Sequence, residues 1–250
     1  MALTELGSAV RGGAAFLTRL PVTTSEGDWL QFQGTPAVFP LVGYLIGVLV
    51  ALPFVLLGGH AAAAGFLLAL FVVAGINHMD GVADLGDAAA IHDAEDRKQA
   101  LKDTTTGVGG TVAVAVIVAG LALAGLALAS MPFRAAVALV VASEVGAKLG
   151  MATVACLGTA SHEGLGSQFT RNASRQLLLG PALVAVPAAM LTGFSPAALV
   201  AVLAGPAVAV GLVRWADDAL GGVNGDVFGA TNELGRVVAL HAGVYVWMYF

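Results

Sequence analysis

Residues 104–133 read TTTGVGGTVAVAVIVAGLALAGLALASMPF, thirty positions without one Asp, Glu, Lys or Arg. A run of that length and apolarity fits a helix crossing a bilayer, which needs about 20 residues. Two further runs are equally free of charge, from Trp29 to Ile76 and from Gln176 to Val213. Each is long enough for one or two crossings. The whole chain agrees: 58% of its 250 residues are hydrophobic, 11% are charged, and the mean hydropathy is +0.88. Soluble domains carry about 25% charged residues, and a soluble chain this apolar could not cover its own surface with polar groups. The 33 glycines would weaken a soluble helical core, but in lipid they let helix backbones approach closely.

Crossings are expected at about 37–57, 61–77, 110–129, 133–156, 177–194, 196–215 and 236–250. This gives an all-α polytopic membrane bundle of six or seven transmembrane helices, in one domain spanning 1–250. The connectors alternate in character. Gly58-Gly59-His60, Ser130-Met131-Pro132 and Gly193-Phe194-Ser195-Pro196 are short and uncharged, as tight turns between antiparallel helices would be. The connectors 1–36, 78–109, 157–176 and 216–235 are long and charged. Counting crossings puts all four on one side. Most Lys and Arg lie in or near them, so the positive-inside rule makes that side cytoplasmic, in a cell membrane. Residues 1–36, broken by Glu5, Arg11 and Arg19, read as an interfacial or re-entrant segment. The net charge of −5 argues against nucleic-acid binding, and the single Cys156 excludes an internal disulfide.

The acidic connectors 78–109 and 216–235 are the expected active-site loops. In the first, Asp80, Asp84 and Asp87 fall at i, i+4 and i+7, which on a helix makes one stripe of carboxylates. Like charges there repel, and a membrane surface adds a desolvation cost that a divalent cation would relieve. All-oxygen ligands favour Mg²⁺, Mn²⁺ or Ca²⁺ over Zn²⁺. The alternative is a solvated acidic loop. Gly81 would leave room for a ligand beside the helix. Asp103 could complete a metal site and Lys102 could neutralise a phosphate, while Gly107, Gly109 and Gly110 would turn backbone N–H groups toward an anion. In the second connector Asp226 and Glu233, at i and i+7, join Asn224 and Asn232 in another oxygen-rich cluster. Glu144 and Lys148 sit i, i+4 inside a predicted span, where either a functional or a structural ion pair would account for them. His60 and His241 read as packing residues. Metal-assisted substitution at a diphosphate fits this inventory.

The ordered motifs resemble those of the cobalamin synthase family, also called adenosylcobinamide-GDP ribazoletransferases. Phe16-Leu17-Thr18-Arg19-Leu20-Pro21-Val22 is similar to its opening motif, and Phe39-Pro40-Leu41-Val42-Gly43 to the entry of its first span. His78-Met79-Asp80-Gly81-Val82-Ala83-Asp84 resembles its signature, and Lys102-Asp103 with Gly107 its Lys-Asp-Ser-Arg-Ile-Gly segment, although Thr104-Thr105-Thr106 stands for Ser-Arg-Ile. Glu163-Gly164-Leu165-Gly166 with Phe169, and Gly225-Asp226-Val227-Phe228-Gly229-Ala230 with Glu233-Leu234, are similar to two later blocks. The resemblance implies a Mg²⁺-dependent enzyme joining adenosylcobinamide-GDP to α-ribazole, or to its 5′-phosphate, with release of GMP. It implies catalytic roles for Asp87, His78 and Lys102, metal ligation by Asp80, Asp84, Asp103, Asp226 and Glu233, and substrate contacts from Arg19, Gly81, Gly107, Glu163, Asn224 and Asn232. The partners are then a corrinoid nucleotide, α-ribazole and membrane lipid, with a homo-oligomer left open. The rival readings are a CDP-alcohol phosphotransferase, whose Asp-Gly motif would continue Ala-Arg where Ala83-Asp84 stands here, and a cation transporter, which would want charges within its spans.

Overall fold

The computed structural model describes residues 3–93, 96–97, 101 and 105–250. The charge-free runs form α3 (Val38–Leu56), α4 (Gly59–Ala74), α6 (Val108–Ala129), α9 (Leu179–Ala189) and most of α10 (Ala197–Leu220), while α7 (Phe133–Leu157) follows the run at 104–133 and carries Arg134, Glu144 and Lys148. The charged connectors are largely helical as well. They contribute α1 (Leu3–Leu17), α2 (Glu26–Gln33), α5 (Asn77–Ala90), α8 (Leu165–Thr170) and the first turns of α11 (Gly225–Tyr249). The expected active-site loops are therefore mostly helix. Residues 77–90 form α5, 216–220 end α10, and 225–235 begin α11. The reason at α5 is amphipathicity: Val82, Ala83, Leu85 and Ala88 are buried, while the Asp stripe occupies the opposite face.

Among the described residues four helices, α3, α6, α7 and α10, are long and apolar enough to cross a membrane. A fifth crossing results if α4 and α5, bent by 95° at their junction, are counted as one. Two expected crossings come out differently. Over 177–194, α9 has 11 residues. Pro187 withholds a donor from its backbone ladder. The Tyr44 hydroxyl also inserts there, accepting from Ala188 N and donating to Val184 O, each at 2.9 Å. At the other end, α11 runs unbroken for 25 residues, and Asp226, Glu233 and Arg236 in its first half keep it from being uniformly apolar.

α7 is the central post. Every residue from Leu139 to Cys156 is buried, and α3, α10 and α11 pack around it. Small residues make this possible. A Cβ at Gly205 of α10 would fall 1.8 Å from the Gly146 carbonyl of α7, and one at Gly43 of α3 would fall 2.9 Å from that of Glu144. The short turns lie at one end of the bundle and the charged connectors at the other. At the charged end Phe16, Trp29, Phe32, Phe39 and Phe169 form an aromatic cluster with ring centroids 4.9 to 5.9 Å apart. It seats α1 and α2 against α8. A capping box between Ser25 and Asp28 starts α2, and Arg11 pairs with Asp28 at 3.0 Å. The connectors 158–164 and 221–224 are joined by backbone bonds between Val223 and Thr159 and Ser161, at 2.8 and 3.0 Å. Gly222, at φ 138°, allows this approach, since a Cβ there would meet the Thr159 carbonyl at 2.4 Å.

Candidate active site

The site is built on α5. Gly75, at φ 78°, turns the chain sharply out of α4 and into it. The stem of Arg19 lies 3.1 Å from where a Gly75 Cβ would be, and Arg19 N donates to Val73 O at 2.7 Å. Arg19 is thereby anchored at the bend, beside the start of α5.

Two expectations about glycine are corrected here. The space at Gly81 is filled by α11 and not by a ligand: a Cβ would meet the Asp226 carbonyl at 2.7 Å and its Cα at 2.9 Å. The anion at the Gly-rich start of α6 is the chain's own Asp87. Its Oδ2 accepts from Gly107 N at 2.7 Å and its Oδ1 from Gly110 N at 2.8 Å. This carboxylate caps otherwise unpartnered N–H groups at the positive end of the α6 dipole. Asp87 thus fixes α6 to α5.

The two acidic clusters of the sequence partly merge. With Gly81 drawing the head of α11 onto α5, Asp226 joins Asp80 and Asp84. Burial raises the Asp84 carboxyl from 3.8 to about 6, helped by the charges of Asp226, Asp80 and Asp87. Burial also raises Asp226; the Asn224 amide, donating at 2.8 Å, opposes this, Asp80 adds to it, and His162 opposes it. Asn224 also caps α11 by accepting from Val227 N at 3.1 Å. A cavity of about 560 Å³ opens on the Asp80 side, lined by Asn77, Asp80, Thr106 and Thr111 among others. Another of about 450 Å³ opens on the Asp226 side, where Ser161, His162 and Asn224 line it.

Glu163 stands apart, in an exposed ion pair with Arg171 beside a third cavity of about 510 Å³. Lys102 and Asp103 lie outside the described residues. Among the described residues no three His, Cys, Asp or Glu side chains stand close enough to hold a metal ion.

Glu233 and Asn232 turn away from the rim into the bundle. Both Glu233 oxygens are engaged: Oε2 accepts from Arg236 Nη1, and Oε1 accepts from Asn232 Nδ2 at 2.8 Å. Arg236 also binds Glu144, and Lys148 reaches both Glu144, at 3.4 Å, and Asn232 Oδ1, at 2.6 Å. His78 meets this network through Nδ1, 3.0 Å from Asn232 Nδ2. Glu144 and Lys148 thus belong to a charge-balanced quartet with Glu233 and Arg236, buried to within a few per cent. Such burial is tolerable because each charge has a partner. The transporter reading loses its support, since the charges inside the helices neutralise one another. Sequence reasoning missed Arg236 and His162. The signal for Arg236 was its i, i+3 spacing from Glu233; nothing local marked His162.

The fold and site define a class: a polytopic helical membrane protein with carboxylates from two helices gathered on one rim. The chain belongs to the cobalamin-5-phosphate synthase family, whose model matches residues 9–244. A protein of Halorubrum lacusprofundi is 49% identical over 254 residues, covering 97% of this chain and 99% of its own. One from Haloquadratum walsbyi is 45% identical over 252 residues, covering 96% and 98%. One from Halobacterium salinarum is 56% identical over 188 residues, covering 74% and 94%. All three are named adenosylcobinamide-GDP ribazoletransferase. No solved structure matches the chain.

Proposed function

We propose that this chain joins adenosylcobinamide-GDP to α-ribazole, or to α-ribazole 5′-phosphate, giving adenosylcobalamin or its 5′-phosphate and GMP. A ribose hydroxyl attacks the phosphorus nearer the corrinoid; the new P–O bond forms there and the P–O bond to GMP breaks. The observation that carries the reading is the approach of Asp80 and Asp84 on α5 to Asp226 on α11, where burial, helped by these neighbouring charges, raises Asp84 to about 6. Like charges so placed suit a divalent cation, and an all-oxygen donor set suits Mg²⁺, with Mn²⁺ as substitute. Asp80, Asp84 and Asp226 would have to close on one another to hold it, since as they stand no three such side chains among the described residues are near enough, and Asp103 of the adjoining connector would join them. When bound, Mg²⁺ supplies charge neutralisation at the diphosphate.

The remaining roles follow from position. Asn224 steers Asp226 through its amide. Asp87, with both oxygens on backbone N–H groups, sets the spacing of α5 and α6. Glu233 leaves the ligand set because Arg236 and Asn232 hold both its oxygens. Lys102 would balance phosphate charge, and Arg19, at the bend before α5, would meet a further anionic group. The charged rim faces the cytoplasm of a cell membrane, where nucleotide substrates are supplied.

Purified protein given adenosylcobinamide-GDP, α-ribazole and Mg²⁺ is expected to release GMP. Asp84→Asn is expected to lose turnover by at least about 10²-fold while keeping its helical content. Near-wild-type GMP release from that variant would overturn the assignment.

A further inference from the structure

The buried quartet also decides which nitrogen of His78 carries the proton. Asn232 is fully buried, and its amide meets three groups. Lys148 Nζ, a donor, lies 2.6 Å from Oδ1. Glu233 Oε1, an acceptor on the carboxylate that Arg236 also binds, lies 2.8 Å from Nδ2. Turning the amide over would set donor against donor at Lys148 and acceptor against acceptor at Glu233. Two independent partners therefore fix the orientation. One Nδ2 hydrogen goes to Glu233, and the other points at His78 Nδ1, 3.0 Å away. Glu233 itself is 3.8 Å from that nitrogen, beyond hydrogen-bond reach.

His78 Nδ1 must then accept. A hydrogen on it would face the amide hydrogen across 3.0 Å, among side chains too buried for water to mediate. The ring proton is left on Nε2. That nitrogen has no hydrogen-bond partner among the described residues, yet it is not among the buried unpartnered atoms. It therefore reaches the surface, although only 12% of the side chain is exposed. His78 lies one turn before Gly81 on the face of α5 that meets α11, where Gly229 approaches His78 and Gly81 approaches Asp226, so the ring sits about one helical turn from Asp226.

We infer that His78 acts as an Nε2–H donor to an acceptor oxygen of the substrate, held in that tautomer by Asn232, with Lys148 and Arg236 as positioning residues. The same bonding denies His78 two other roles. A metal ligand or a general base needs a lone pair on Nε2, and here that lone pair is replaced by a hydrogen. Naming the acceptor as a diphosphate oxygen rests on the reading under Proposed function; the tautomer does not.

The test is ¹⁵N NMR of the full-length protein, histidine-labelled, in lipid nanodiscs. His78→Gln identifies the His78 signals among the five histidines. Wild-type His78 is expected to show a pyridine-type Nδ1 and a pyrrole-type Nε2. A pyrrole-type Nδ1, or both nitrogens protonated, would overturn the inference. Asn232→Ala is expected to give mixed tautomers and a reduced kcat at unchanged KM; a folded Asn232→Ala protein still wholly in the Nε2–H form would overturn the positioning role. In turnover, His78→Ala is expected to lose about 10²-fold in kcat, whereas His78→Gln, whose amide can donate from near the Nε2 position, keeps about a tenth. Equal loss in the two would overturn the donor role. If the wild type released no GMP, the transferase reading would fail while the tautomer result stood.

Discussion

At Asp84, burial and the charges of Asp226, Asp80 and Asp87 raise the carboxyl from 3.8 to about 6. The native state then holds a proton that the unfolded chain has released over that window. Stability of the metal-free protein is therefore expected to fall as pH rises through about 6, and to increase on acidification from pH 7 toward 5. Thermal unfolding in detergent with a chelator checks this. Asp84→Asn should flatten the pH response, and Mg²⁺ at pH 7 should restore stability if the rim carboxylates hold it. A wild-type melting temperature that rises steadily with pH across this window would contradict the account. The Asp80, Asp84 and Asp87 stripe was legible from spacing alone. The partners of Asp87 were not, because Gly107 and Gly110 lie 20 and 23 residues further along. The Gly-rich stretch pointed to an external anion, and the anion its N–H groups meet is the chain's own Asp87.

Between elements, the decisive contact is α5 against α11. Gly81→Ala would put a Cβ 2.7 Å from the Asp226 carbonyl, a separation no relaxed structure keeps. The helices must part, and Asp226 withdraws from Asp80 and Asp84. Turnover is expected to fall by at least about tenfold, because positioning errors near 1 Å are that costly, with little change in helical content by circular dichroism. Gly211→Ala on α10 is the control: its Cβ meets nothing within 4 Å. It should leave GMP release intact, and exchanging Gly for Ala inside a helix should add about 0.5–1 kcal/mol of stability. Equal activity in the two variants would remove the α5–α11 contact from the site. Element boundaries were legible where apolar runs met turn residues, as at Ser130-Met131-Pro132. They were misread where charge was taken for loop: α5 and the first half of α11 carry their acidic residues on helices whose other faces are buried.

Across the whole molecule, Glu144, Lys148, Glu233 and Arg236 are buried together where α7 meets α11. Arg236→Met leaves Glu144 and Glu233 buried with their main cation removed, a loss of about 3–5 kcal/mol by comparison with other broken buried pairs. Arg171→Ala, which breaks the exposed pair with Glu163, is expected to cost about 0–1 kcal/mol. Denaturant unfolding of both proteins in the same detergent measures the contrast, and similar losses would refute it. The quartet also separates what the sequence determined from what the tertiary structure decided. Composition and the spacing of charge-free runs determined a helical membrane bundle with its charged connectors at one end, because lipid demands apolar helices of near-fixed length and confines most charge to their ends. The ordered motifs determined the family. Pairing was left to the tertiary structure: Glu144 with Arg236, 92 residues apart, Gly81 with Asp226, and Asp87 with the start of α6. Local periodicity says which face of a helix a side chain occupies. What that face meets depends on how distant helices pack, and that contact is what separates a rim carboxylate such as Asp226 from a buried structural one such as Glu233.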